Sequence, residues 1–305
     1  MKNKVKEMTK KENEEKDSLF EKIKSQAAME YLMTYGWAIL IIALTLAVLY
    51  SLGIMNPKNF LPRAPPGSCF VFRPNGPGTT DFVSLQGTCG YLPMYVASFN
   101  GVSGYINIPN SASLNPTNAV TVVAWFKTNV VHDGAIVWKA YSTYGPTYGF
   151  AYFGASYNGI AGRITNTSGN YYTISFTWAP DGKWHHLVMS YNGSAIKLYF
   201  DGVTKTSATL TGAIITSTYG VIIGNRETAN MYFNGQISNV QVYSTALTSQ
   251  EIQYLYQQGL GGGPIRLQNL VGWWPLNGDA KDYSGNNNHG TINGGVTFVQ
   301  NYNPP

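Results

Sequence analysis

The sequence predicts a mainly β protein: one long hydrophobic N-terminal α-helix, then a two-sheet antiparallel sandwich of the jelly-roll kind. Three observations carry this. Ser25–Gly53 (SQAAMEYLMTYGWAILIIALTLAVLYSLG) lies across an unbroken uncharged run from Tyr31 to Pro57. From Ser68 onward, short apolar alternations recur between Gly, Asn, Asp and Pro turns. Charged residues are only 11% of the chain, well under the usual quarter or so, while Tyr, Thr, Ser, Asn and Gly abound.

The N-terminus is charged. Met1–Ser25 holds eight lysines and six acids, so two of the five net positive charges belong to it. A lysine-rich leader favours a cytoplasmic N-terminus, which places the C-terminal mass outside the cell. Tyr35–Ile54 is mostly Leu, Ile, Ala and Val. As an α-helix it spans roughly 30 Å, the thickness of a bilayer's hydrocarbon core. A helix satisfies its own backbone in lipid. Gly36, Thr45 and Ser51 permit close helix packing, and Trp37 and Tyr50 suit the two interfaces. Glu30 stands one turn before the apolar run, with no Lys or Arg between it and Lys58. A carboxylate there needs a partner or a headgroup to reach for.

Lys24-Ser25-Gln26-Ala27-Ala28-Met29-Glu30-Tyr31-Leu32 resembles the processing site of archaeal type IV pilin precursors. The resemblance covers about thirty residues. It implies cleavage by a prepilin peptidase between Ser25 and Gln26, which makes Glu30 the fifth residue of the mature chain. It also implies that Glu30 pairs with a neighbouring subunit's N-terminal amine during assembly, with self-association through the helix. The alternative is a plain uncleaved anchor.

Residues 56–67 (NPKNFLPRAPPG) stop the helix and read as a short, semi-rigid spacer. The head, 68–305, begins with Cys69 and Cys89, the only two cysteines. An extracellular location permits a disulfide between them, worth roughly 3 kcal/mol for a loop of that size; the alternative is two buried thiols. The expected strands are Cys69–Arg73, Met94–Asn100, Tyr105–Ile108, Val120–Thr128, Ala135–Lys139, Tyr148–Phe153, Tyr172–Phe176, His185–Tyr191, Ala195–Phe200, Tyr219–Gly224 and Gly235–Tyr243. Asn192-Gly193 and Asp201-Gly202 are two-residue hairpin signals. Thr248–Gln258 breaks the β pattern. Thr248 with Glu251 three residues on, and Ile252 with Leu255 on one face, predict a capped helix.

Several stretches resemble the laminin-G-like, concanavalin A-like lectin and glucanase sandwich. They are Ser98–Gly101 with Tyr105–Pro109, Val120–Lys127, Asp181–Val188 with Leu198–Gly202, and Gly235–Tyr243 followed by Ala246-Leu247-Thr248. Together they cover most of Met94–Tyr256. In that family, segments like Val271–Leu276, Asp282–Gly290 and Gly295–Val299 open the domain; here they follow the Gly259–Gly263 linker and close the chain. Residues 265–305 therefore supply the missing strands, either folding back in cis, which effective concentration favours, or donated to a neighbouring subunit.

The resemblance implies carbohydrate binding, with polysaccharide or glycoprotein as the partner at the cell surface. Tyr141, Tyr144, Tyr148 and Tyr157, with Tyr171 and Tyr172, crowd the middle of the head; they either stack on sugar or pack the sandwich. The same resemblance implies calcium near Asp282–Gly290, with Asp282, Asn287 and Asn239 as oxygen ligands; the alternative is a self-satisfied Asx turn. Asn239 stands where an acid is expected. Hydrolysis is not expected. The mature acids are Glu30, Asp81, Asp133, Asp181, Asp201, Glu227, Glu251, Asp279 and Asp282. None forms the closely spaced pair a glycosidase needs. His132 and His289 lie in turns, and His185-His186 reads as structural. Asn166-Thr167-Ser168 and Asn192-Gly193-Ser194 are glycosylation sequons. No basic stripe supports nucleic-acid binding.

Overall fold

The computed structural model describes residues 63–142, 145–154, 157–226 and 231–300, and in the N-terminal helix residues 22, 24–26, 29–31, 33 and 35–48. Most of the leader, the spacer up to residue 62, Tyr144 and Glu227 lie outside the described residues. The chain divides into two compact units, Met1–Leu61 and Pro62–Pro305.

In the first unit, α1 (Lys24–Val48) is 25 residues long, and by length and composition it is able to cross a membrane. Its apolar side chains point outward on all sides, from Tyr31 to Val48. Such a helix needs lipid or other helices around it. The Thr45 hydroxyl donates to the carbonyls of Ile41 and Ile42, so this polar group is satisfied within the helix.

The second unit is the head. Its strands in chain order are β1 (Cys69–Phe72), β2 (Ser84–Gly87), β3 (Val96–Asn100), β4 (Tyr105–Ile108), β5 (Val120–Lys127), β6 (Gly134–Ala140), β7 (Pro146–Phe153) and β8 (Gly159–Thr165). Then follow β9 (Tyr171–Thr177), β10 (Trp184–Tyr191), β11 (Ala195–Phe200), β12 (Val203–Thr209), β13 (Val221–Ile223) and β14 (Asn234–Tyr243). Helix α2 (Ser249–Gln258) precedes β15 (Leu270–Trp274), β16 (Thr291–Asn293) and β17 (Thr297–Val299).

Two antiparallel sheets face each other. The back sheet runs β12-β11-β10-β5-β14-β3-β17, with β15 also on β14; the front sheet runs β16-β4-β13-β6-β7-β8-β9. Val122, Ala124 and Phe126 of β5, Leu187 and Met189 of β10, and Ile237, Val240 and Val242 of β14 point between the sheets. There they meet Ile136, Phe150, Ile160 and Ile174 of the front sheet. The alternate residues of the back sheet are buried too. Val123, Val188, Tyr199 and Tyr243 lie under Ile252 and Leu255 of α2, with Val71 of β1 in the same cluster. The back sheet is therefore apolar on both faces, which is why its strands read as continuous rather than alternating runs. Helix α2 begins with the expected capping box: Thr248 Oγ1 accepts from Glu251 N–H, and Glu251 accepts from Thr248 N–H.

The C-terminal strands complete both sheets within the same chain. The first half of β14 pairs with β3 and the second half with β15. Strand β17 pairs with β3 on its outer side, and β16 covers the edge of β4 in the front sheet. Ala64 is already part of the head: it bridges to Pro93, and its carbonyl accepts from Asn277 Nδ2. The ordered head thus starts inside the stretch read as spacer. The structure also adds four strands to those expected, namely β2, β8, β12 and β16. Strand β8 (GIAGRIT) is small and flat, and β12 (VTKTSAT) is rich in Thr and Ser; neither carries an apolar alternation.

Candidate ligand-binding face

The outer side of the front sheet is built from register. One row of directly paired residues crosses the sheet: Thr291, Asn107, Ile222, Trp138, Gly149, Arg163 and Thr173. The neighbouring row is small throughout, with Ala135, Ala151, Ala161 and Ser175. Phe153 stands beyond it on β7. Bulges in β6 between Ala135 and Val137, and between Lys139 and Ala140, set the phase that turns Trp138 outward. The indole lies against Gly149, where an added Cβ would come within 2.5 Å of the Val137 carbonyl and 3.0 Å of Trp138 Cα. The small row, Trp138 and Phe153 form a buried cluster on this side of the sheet: Trp138 is 1% and Phe153 4% exposed, the alanines are wholly buried, and Tyr157, Tyr219 and Met231 pack against them.

Two guanidiniums lie on this aromatic surface. Arg163 stands over the Phe153 ring at 4.6 Å and over Tyr157 at 5.7 Å, and its Nη2 donates to the Tyr157 hydroxyl at 3.2 Å. Arg226 stands over Trp138 at 5.1 Å. Cation–π contact holds each group over its ring. Lys139 is fully buried, in register with the core residues Tyr148 and Val221; it donates to Asn110 Oδ1 at 2.8 Å and to the Tyr219 carbonyl, and burial pulls its pKa down to about 8.

The structure redistributes the residues singled out from sequence. Tyr148 is not a ligand contact: it points between the sheets, fully buried, and its hydroxyl donates to the Leu114 carbonyl. Tyr157 does reach the aromatic face, whereas Tyr141 is exposed on the turn after β6 and Tyr144 is outside the described residues. Asn166 is buried, with Oδ1 accepting from the Ser168 and Asn170 N–H groups and Nδ2 turned to the Thr211 carbonyl. That amide caps its own turn and is poorly placed for a glycan. Asn192 is exposed on its hairpin. Cys69 and Cys89 are joined, with Cα atoms 5.0 Å apart. Ser25, Gln26 and Glu30 lie on α1.

The calcium ligands do not fit an ion. Asp282 is buried and its two oxygens accept four hydrogen bonds, from Trp273 N, Ser284 N, Ser284 Oγ and Asn288 N. A carboxylate has about four lone-pair positions, so none remains for a metal. Asn239 is spent likewise: Oδ1 accepts from Trp273 Nε1 and Gln241 Nε2, while Nδ2 donates to the Leu260 and Gly262 carbonyls. Asn287 is exposed in a left-handed turn with φ of 60°. The turn serves as a hydrogen-bond hub joining β15 to the chain's last strands.

The adjacent histidines sit in opposite environments. His185 Nδ1 is 2.8 Å from Asp201 Oδ2, and its Nε2 is 3.0 Å from Asp181 Oδ1. Burial pulls its pKa down, but bonds to Asp201 and then Asp181 raise it by more, so the net shift is upward. His186 packs against Trp125 and Tyr256, and neither ring nitrogen has a partner among the described residues. Burial drives its pKa down to about 3. The signs oppose. The His185 contribution is complete below its unfolded pKa near 6.5 and is lost as pH rises through the raised folded value. The His186 contribution is present above about 6.5 and is lost as pH falls toward 3, at roughly 1.4 kcal/mol per pH unit. His186→Leu should therefore stabilise the head by about 1–3 kcal/mol, the cost of its unmet polar atoms, and should flatten the loss between pH 6 and 4. Thermal melts of both proteins across that range check this. An unchanged acid limb would mean that other groups control it.

Residues 100–253 match the family model of the concanavalin A-like lectin/glucanases superfamily. No curated protein matches the chain. Among solved structures, a candidate carbohydrate-binding protein from Bacteroides ovatus is 16% identical with a TM-score of 0.56, over 73% of this chain and 64% of that one. This chain thus spans under two thirds of the Bacteroides protein. The heptameric SAP-like pentraxin of Limulus polyphemus is 17% identical with a TM-score of 0.50, over 68% of this chain and 94% of the pentraxin. At these identities the likeness is one of fold.

Proposed function

The chain belongs to the concanavalin A-like lectin/glucanases superfamily, and from that premise we propose that its head binds carbohydrate on the outer face of the front sheet. The observation that carries this reading is the aromatic cluster of Trp138, Phe153 and Tyr157 beneath the Arg163 and Arg226 guanidiniums, of which Tyr157 and Arg163 are partly exposed at the surface. Sugars bind such surfaces through their C–H faces, with polar groups at the rim fixing orientation. Binding without hydrolysis fits the acids. Among the described residues, Asp181 and Asp201 are committed to His185, Glu251 to Arg266 and Asp282 to backbone donors, so these four carboxyls are not free to flank a glycosidic bond. A glycan array probed with the full-length protein in detergent tests the reading. Binding to no glycan would overturn it.

The N-terminal half of the proposal is that the protein is a type IV pilin-like surface subunit. The order of basic leader, Ser25, Gln26, Glu30 and apolar α1 supports it, as does the need of α1 for surrounding helices or lipid. Cleavage after Ser25 would expose a new amine at Gln26, and Glu30 would pair with that amine in a neighbouring copy. Mass spectrometry of protein from its native membrane should find Gln26 as the first residue. A chain that keeps Met1–Ser25 would favour the second reading, a monomeric membrane-anchored carbohydrate-binding protein. One observation favours that second reading: both sheets of the head are completed within one chain, so the head needs no second copy.

A further inference from the structure

We propose that the saccharide taken by this face is acidic, carrying a carboxylate or sulfate that the Arg163 guanidinium receives. The inference rests on the carbohydrate-binding reading above and narrows it to a ligand class.

Arg163 is a charged side chain set into a strand of small residues. Its cross-strand neighbours are Gly149 and Thr173, so nothing beside it on the sheet supplies a counter-charge. Its one hydrogen bond among the described residues goes to the neutral Tyr157 hydroxyl. Its Nε is buried and unpartnered there, and none of the described ion pairs includes it. Several of the described acids of the head have other partners. Asp181 and Asp201 hold His185, Glu251 holds Arg266, and Asp133 acts on Tyr152.

A cation partly removed from water beside aromatic and alanine surface is costly until an anion meets it. Neutral hydroxyls do not need a guanidinium; a planar oxyanion does, because the fork offers two parallel N–H donors. The Phe153 ring beneath and the bond to Tyr157 hold the guanidinium in place, so less order is lost on binding. Arg226, on the Trp138 ring next along the same row, adds positive charge to the same face.

The test uses the full-length protein in detergent on an array of uronic-acid, sulfated and neutral glycans, at low and at physiological salt. Acidic glycans should be retained and neutral analogues not, with retention falling as salt rises. Arg163→Gln should weaken that binding about tenfold or more, and Arg163→Lys, which keeps charge but loses the fork, by less. Melting curves establish that the variants fold; if the glutamine variant does not, the lysine variant and the salt dependence of the unmodified protein decide. Equal binding of neutral and acidic glycans, or acidic binding indifferent to Arg163 and to salt, would overturn the inference and leave carbohydrate binding intact. Retention of no glycan at all would overturn both.

Discussion

A chain ending at Gly259 should fail to fold. It would lack Leu270, Val271, Trp273, Trp274 and Leu276, all buried. Each such side chain stabilises a domain by about 1.5–3 kcal/mol, and together they match or exceed the roughly 5–15 kcal/mol that holds one folded. The loss is also one of hydrogen bonds. The second half of β14 would lose β15, β3 would lose β17, and β4 would lose β16, leaving open edges in both sheets. The expected outcome is an aggregated or molten product that binds hydrophobic dye and shows no cooperative melt. A soluble truncation with a sharp transition would show that the remaining strands close without the C-terminal segment.

The second large effect is expected at Asp282. Replacing it with alanine would leave the backbone N–H groups of Trp273, Ser284 and Asn288 and the Ser284 hydroxyl without their acceptor. It would also strip Arg73 of the negative charge that opposes the burial cost of its guanidinium, whose nitrogens otherwise meet the carbonyls of Ser284, Thr79, Leu267 and Leu270. Removing one side of such a buried arrangement costs roughly 3–5 kcal/mol, a fall in melting temperature on the order of 10 °C for a head of this size. Asp282→Asn keeps the shape and some of the acceptors and should cost less. Added calcium should leave the melt of the unmodified protein where it is, because the oxygens of Asp282 and Asn239 are already occupied. A calcium-dependent rise would mean that the turn opens to take the ion.

What the sequence revealed follows from what its patterns encode. Strands such as β5, β10 and β14 were legible because their apolar residues recur with turn signals at both ends. Helix α2 was legible because Thr248 and Glu251 form a local motif. Strands β8 and β12 were not, since small or hydroxyl-bearing side chains carry little periodic signal, and their partners hold them in place. The site was harder to see. Counting tyrosines finds aromatic density but not direction. On β7, Tyr148, Phe150 and Tyr152 face the core while Gly149, Ala151 and Phe153 face out. Period-two alternation from Gly149 would have separated them. The bulges in β6 break that phase, so nothing local announced that Trp138 shares the outer face. The available signal was Arg163, a single charge within GIAGRIT.

The layer that α2 and Leu247 lay across the back sheet has a further consequence. With that side sealed, a head has one sheet face left to present, and on the carbohydrate-binding reading a single molecule would be monovalent toward its target through its sheets. On that proposed reading, firm attachment would then come from the number of heads brought together, since two modest contacts held at millimolar effective concentration outlast either alone by orders of magnitude.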